Sequence, residues 1–277
     1  VALFVRKART MEYDKKILSS QRGRQFASVN PNSGILKHEA KLYNCCSTLI
    51  DRVEVFSEII YLLLCGCGVG YSLHKEHVDK LPSVPFQTGR EANLEVVEDS
   101  IEGWADAVKH YMGNLFSGIK PNVSLENIRP EGSLIDGKFT APGPEPLRKA
   151  LNKVMEIMLQ AQGRRLTTLE IHDMICFIAE SVVSGGVRRS AMIALFDKED
   201  ELMLKAKTGN WWVENPQRAM ANNSILTTYD TALTYKELKE KLSVIRQFGE
   251  PGFVNVKDFF YTVNPCGEIV MLPRIDT

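Results

Sequence analysis

The stretch LEIHDMICFIAESVVSGGVRRSAMIALF, residues 169–196, carries two kinds of periodicity back to back. Leu169 to Val183 places apolar residues at helical spacing, and Gly185 and Gly186 are suited to ending it. Ala191 to Phe196 is a short apolar run bounded by charge, the pattern of a buried strand. A long helix followed at once by a fully apolar strand is the repeating unit of an α/β fold with a mainly parallel sheet.

Working outward, the same alternation recurs. Val53 to Cys65 reads as a helix behind Asp51 as its N-cap, stopping at Gly66. Asp99 to Phe116 has Ile101, Trp104, Ala105, Val108 and Met112 on one face. Glu145 to Gln162 carries a stripe of Leu147, Leu151, Val154, Ile157, Met158 and Ala161, with Pro144 and Pro146 in its first turn. Gly252 to Val256 and Tyr43 to Ile50 are further strand candidates. The segment 74–127 is richer in Pro, Gly and charge, and is expected to lie outside the central sheet as an insertion or peripheral piece of one domain spanning 1–277.

Composition narrows the function classes. The 277 residues are 44% hydrophobic and 25% charged, as in ordinary globular chains. Lys plus Arg equals Asp plus Glu at 34 each, so no net charge points to nucleic acid or a membrane surface. No apolar run is long enough for a membrane span and no signal peptide is visible, so a cytoplasmic enzyme is expected. Six cysteines are too sparse for a disulfide scaffold. Cys45-Cys46 and Cys65-x-Cys67 lack the usual knuckle spacing, and no His stands at ligand distance in sequence, so zinc is not expected. The chain starts at Val1 and ends on LPRIDT, and reads as a piece of a longer protein at both ends.

Five segments bear on chemistry. In NPCGEI, Pro265 and Gly267 turn the chain around Cys266 and set an amide (Asn264), a thiol and a carboxylate (Glu268) close together. SGGVRRS, residues 184–190, is a glycine-opened loop with two guanidinium groups, which suit phosphate or a base edge. GCGVGYS, residues 66–72, superficially has the glycines of a dinucleotide fingerprint, but a helix precedes it where a strand is required. Its glycines leave open a close backbone approach to a ligand or to another strand. IRPEGSLIDGK (128–138) and APGPEPL (141–147) are loops leading into a helix whose N-terminus could hold an anion.

Taken in order, Asn44-Cys45, GCGVGYS, IRPEGSLIDGK, APGPEPL, HDMICFIAESVVSGGVRRSA, NPQRAMANNS, GEPGFVN and NPCGEI resemble the large subunit of ribonucleotide reductases. The forms APGPEPL, SGGVRRS and NPCGEI are closer to the adenosylcobalamin-dependent class than to the class that relies on a di-iron radical subunit, which is the alternative. A further alternative is an inactive nucleotide-binding fragment of a split or intein-interrupted gene.

The resemblance implies part of a ten-stranded α/β barrel with a central finger loop. It implies that Cys266 forms the thiyl radical, that Glu268 takes the 3′-hydroxyl proton, and that Asn264 bonds the substrate hydroxyls. Cys45 matches one of the two cysteines that reduce the 2′ position, while Asn44, Cys67 and Gly68 match substrate contacts. The second redox cysteine would follow Cys266 by roughly a dozen residues and is not in the chain.

Asp51, Arg129 and Lys138 match contacts to a deoxynucleotide effector, with Asp136 standing where a second basic residue is frequent, and Arg188 matches the loop that reports effector identity. The implied partners are a ribonucleotide substrate, a dNTP effector, a thioredoxin- or glutaredoxin-type dithiol reductant and the rest of the same enzyme.

Overall fold

Why the chain makes a helix and then a strand is clearest at its first crossover. The computed structural model describes residues 10–11, 13–15, 39–135, 139–182, 191–267 and 270–271. Strand β1, Cys45–Leu49, leads into helix α1, Val55–Leu64. At the end of α1, Gly66 takes a left-handed φ of 80°. Its N–H bonds Leu63 O at 2.8 Å, and the N–H of Cys67 bonds Leu62 O at 2.9 Å. This paired closure satisfies the last helical carbonyls and turns the chain straight into β2, Gly68–Ser72. The sequence marked that segment only by its glycines; it is a fully buried strand.

Three more strands follow: β3, Met192–Asp197; β4, Ala221–Thr228; and β5, Gly252–Val256. The five form one sheet in the order β1-β2-β3-β4-β5, every pair parallel. Spatial order therefore equals chain order. The α/β class with a parallel sheet expected from the sequence is what forms.

Because side chains alternate along a strand, the sheet has two distinct faces. On one, Val69, Tyr71, Met192, Ala194, Phe196 and Ile225 join the large core with the helices. Those helices are α1, α2 (Ile101–Phe116), α3 (Glu145–Gln160) and α4 (Thr168–Glu180). On the other, Ile193, Leu195, Leu226 and Val256 pack around Val263. Both faces of the sheet are thus covered, as a parallel sheet requires.

The helices start where local chemistry allows. Ser100 Oγ accepts from Gly103 N at 2.9 Å to cap α2. Thr167 and Glu170 form a reciprocal capping box on α4. Asp51 is not the cap of α1, contrary to the sequence expectation: Glu54 occupies that position, and Asp51 Oδ1 instead accepts from Arg52 Nη1 at 2.6 Å. Helix α4 ends at Glu180, short of Val183. Gly185 and Gly186 lie outside the described residues. Strand β4 and helix α5 (Tyr235–Phe248) were not anticipated. The first has polar residues scattered through it, and the second buries none of its side chains, so neither has a clear apolar signature.

Within 74–127, the short strands Glu95–Val96 and Val123–Ser124 pair with each other and stay out of the five-stranded sheet. Helix α2 nevertheless packs on α1 and buries Trp104, Val108, Met112 and Leu115 in the main core. Among the described residues of the separate unit that ends at Asn44, Glu39–Leu42 is a 3-10 turn.

Behind β2, Tyr71 Oη lies 2.8 Å from His172 Nδ1, and Cys176 Sγ lies 3.7 Å from His172 Nε2. Burial pushes the His172 imidazole down to about 3 and the Cys176 thiol upward. The folded protein therefore keeps His172 neutral at pH values where the unfolded chain, near 6.5, takes up a proton. Stability is unaffected by this group above the unfolded value and falls as pH drops from there toward 3. The loss approaches about 1.4 kcal/mol per pH unit for one proton. Urea midpoints at pH 7 and pH 5 should show a smaller acid loss in His172→Gln than in the wild type. Equal losses would rule this account out.

A second expectation concerns Gly70. A Cβ there would sit 1.9 Å from the carbonyl oxygen of Val263. Gly70→Ala should lower stability by about 1–3 kcal/mol or more, as overpacking does, and an unchanged urea midpoint would show that Val263 does not approach β2 this closely.

Candidate active site

The inner face of the sheet is occupied by a hairpin. Strand β6, Thr262–Val263, runs antiparallel to β7, Val270–Met271, with Thr262 opposite Met271 and Val263 opposite Val270. Between them the chain reverses in a tight turn. The N–H of Gly267 donates to Asn264 O at 2.9 Å, and Gly267 adopts φ 77°. Proline in the second position and glycine in the fourth are what such a turn selects. Thr262 and Asn264 are buried while Cys266 is exposed, so the turn offers the thiol at its tip.

Three contacts fix the hairpin against β1 and β2. Thr262 Oγ1 donates to Ser47 Oγ on β1. The Val263 carbonyl passes over Gly70 at a distance no side chain would permit. At the tip, an added Cβ on Gly68 would lie 3.1 Å from Pro265 Cγ and 3.2 Å from Cys45 Sγ. Successive inner-face positions of β2, at 68 and 70, are thus both glycine because the hairpin lies on them. The close approach left open for GCGVGYS is to another strand.

The consequence is a meeting of thiols. Cys45 Sγ lies 3.8 Å from Cys266 Sγ, although 221 positions separate them in sequence. The register that sets Cys45 beside Gly68 brings the first inner-face residue of each strand to the same end of the sheet. Cys46 points to the opposite face, where its Sγ is 3.5 Å from Gly68 O. Its hydrogen bond with Cys67, followed by burial, holds its thiol well above the ordinary range, so it stays protonated. Cys67 is completely buried.

The structure therefore joins Cys45, Cys266, Asn264 and Gly68, with Cys67 one residue before Gly68. Asp51 stands beyond the far end of β1 from Cys45, held by Arg52. Arg129 donates through Nε to Asp99 Oδ2 at 2.5 Å, and neither it nor Asp51 belongs to the thiol group. Asn44 is exposed and belongs to the other compact unit. Glu268, Lys138 and Arg188 lie outside the described residues.

Sequence reasoning missed Ser47, Thr262 and Gly70 as parts of the site. Only the glycine carried a signal, in the alternation of GCGVG, and it could be assigned no partner without the hairpin in place.

No family model matches the chain. It is similar to the adenosylcobalamin-dependent ribonucleoside-triphosphate reductase of Lactobacillus delbrueckii subsp. bulgaricus, with 29% identity over 268 residues, covering 77% of this chain and 36% of that one. The enzyme of the same description from Levilactobacillus brevis is 31% identical over 195 residues, which cover 62% of this chain and 25% of its own length. The chain thus spans about a third of the curated relatives it matches. A crystal structure of a B12-dependent, class II ribonucleotide reductase superposes with a TM-score of 0.72 at 24% identity, covering 83% of this chain and 41% of the other. By sequence the chain is similar to adenosylcobalamin-dependent ribonucleoside-triphosphate reductases, and its fold is that of the corresponding part of the class II structure.

Proposed function

We propose that this chain carries the hydrogen-abstracting centre of an enzyme that reduces ribonucleotides to 2′-deoxyribonucleotides. The observation that carries the reading is the pair of thiols at the hairpin tip, Cys45 and Cys266, with sulfurs 3.8 Å apart beside the buried Asn264. The printed names of the relatives specify a ribonucleoside-triphosphate substrate and adenosylcobalamin, and the substrate and cofactor proposed here follow them.

Cys266 is the residue through which the reaction begins. Its S–H bond is close in strength to a ribose C–H bond, so a sulfur radical at Cys266 takes the 3′ hydrogen reversibly. Adenosylcobalamin, when bound, supplies the homolytic chemistry that initiates radical formation. The exposure of Cys266 at the turn fits such a group, since the sulfur faces outward and is not sealed under the hairpin.

With the 3′ hydrogen on Cys266, the 2′ hydroxyl leaves as water. Cys45 and a second thiol together supply two electrons and two hydrogens and end as a disulfide. Cys266 then returns its hydrogen to C3′. An external dithiol of the thioredoxin or glutaredoxin type resets the disulfide for the next cycle.

Asn264, buried in the turn, is assigned the hydrogen bonds to the substrate hydroxyls. Glu268 is assigned the 3′-hydroxyl proton from its place in NPCGEI. Packing of Val263 with Ile193, Leu195 and Leu226 anchors the root of the hairpin from which Cys266 is presented. Deoxynucleotide effector binding through Asp51, Arg129, Lys138 and Arg188 belongs to the same reading and rests on the sequence segments.

The two sulfurs have separable roles, which the full-length protein should reveal. Cys266→Ser should abolish both nucleotide reduction and cofactor-dependent tritium exchange. Cys45→Ser should abolish reduction but retain exchange. Turnover by Cys266→Ser would overturn the reading.

A further inference from the structure

The hairpin that presents Cys266 has a root as well as a tip, and the root sits on a pair of histidines. Residues 259–260 lie just ahead of β6, separated from it by Tyr261. The Phe259 ring stacks on His74, with centroids 3.7 Å apart and an interplanar angle of 21°. Phe260 meets His77 at 5.8 Å, and Lys80 Nζ lies 5.7 Å from the centre of the Phe260 ring.

Both histidines are tied to the sheet at the ends of its strands. His77 Nδ1 is 3.0 Å from the Ser72 hydroxyl, the last residue of β2. His74 Nε2 is 2.5 Å from Asp197 Oδ1, the last residue of β3. The second oxygen of that carboxylate accepts from Lys75 N at 2.8 Å.

The His74 ring is held on both edges. Its Nδ1 accepts from the N–H of Glu76, as the N-cap of a short helix. A neutral imidazole that accepts at Nδ1 carries its hydrogen on Nε2, which then donates to Asp197. With both edges bonded, the ring has one free motion less than an ordinary aromatic partner, and its face is committed to Phe259. Neither histidine was singled out by the sequence, and neither touches the thiol pair.

We infer that His74, oriented by Asp197, is a positioning residue for Cys266. It grips Phe259 and so sets how far the hairpin reaches along the inner face of the sheet. The inference deepens the functional reading above and rests on it for its consequence in turnover. The mechanical reason is the shortness of the hairpin strand. Only Thr262 and Val263 pair in it, and their grip on β1 and β2 is one hydroxyl contact and one carbonyl passing over Gly70. A slide of the root is passed to the tip, seven residues on, where the Cys45–Cys266 contact is set.

The test needs a readout independent of the cofactor, and the two sulfurs provide one. In the full-length, reduced, cofactor-free protein with its second redox cysteine changed to serine, glutathione disulfide should link Cys45 to Cys266, and turnover is read in the same variants with that cysteine intact. Two protein thiols become one disulfide while one glutathione disulfide becomes two glutathione thiols. Peptide mass mapping after iodoacetamide quenching reads the rate.

His74→Asn keeps the cap acceptor but removes the stacked ring and, with it, the Nε2 donor to Asp197. It should slow linking by about tenfold and lower kcat by roughly ten- to a hundredfold at nearly constant KM, the signature of a misplaced reacting group. Phe259→Leu should behave the same way, and Phe259→Tyr should recover wild-type rates. The buried thiols Cys65, Cys67 and Cys176 should stay unalkylated throughout, which separates a displaced hairpin from a loosened fold. If His74→Asn exposes them, the contrast between Phe259→Leu and Phe259→Tyr decides.

Linking and turnover at unaltered rates in His74→Asn and Phe259→Leu would overturn the inference, as would failure of the serine-replaced parent to link Cys45 to Cys266 at all. If the wild type reduces no ribonucleotide yet the variants still link slowly, the functional reading falls and the positioning role stands.

Discussion

The carbonyl of Val263 lies where the side chain of residue 70 would be, and the rest of the site depends on that substitution of backbone for side chain. Parallel sheets normally fill both faces with branched apolar residues. Here β2 leaves its inner face bare at Gly68 and Gly70, and the hairpin settles into the vacancy. Without it, Val263 could not join Ile193, Leu195 and Leu226 in the inner cluster. The turn from Asn264 to Gly267 would also not reach the level of Cys45.

Around this approach, stability and chemistry are divided between the faces of one sheet. The helix side carries the large core and a buried chain of Tyr71, His172 and Cys176, whose burial keeps each group neutral. The inner side carries few apolar residues, two glycines and short-range hydroxyl contacts. The radical chemistry proposed for this site would benefit from such a division. The rigid face holds the strands in register, and the register then delivers Cys45 to the position where a thiol is needed.

Cys45 and Cys46 show how strongly the pleat decides. Adjacent in sequence, they point to opposite faces. One reaches Cys266; the other is bonded to Cys67 and the Gly68 carbonyl, and its thiol is held far from ionisation. Two identical side chains thus acquire unlike chemistry from a single step along a strand.

Much of this was legible in the residues. Stripes at helical spacing marked α1 through α4, AMIALF and GFVNV marked two strands, and Pro-Cys-Gly marked a turn bearing a thiol. The ordered set of segments resembles the large subunit of ribonucleotide reductases. Local propensity and period suffice for such features, because each is decided by neighbours along the chain.

The tertiary structure alone decided that GCGVGYS ends in a buried strand, that Asp51 binds Arg52 and leaves the cap of α1 to Glu54, and that His74 stacks on Phe259. It also decided that Cys45 meets Cys266 across 221 residues. Each of these is a contact between segments far apart in sequence or a choice between competing local partners. Such outcomes are fixed by which strands pair and in what register, a property of the whole sheet that no window of residues contains.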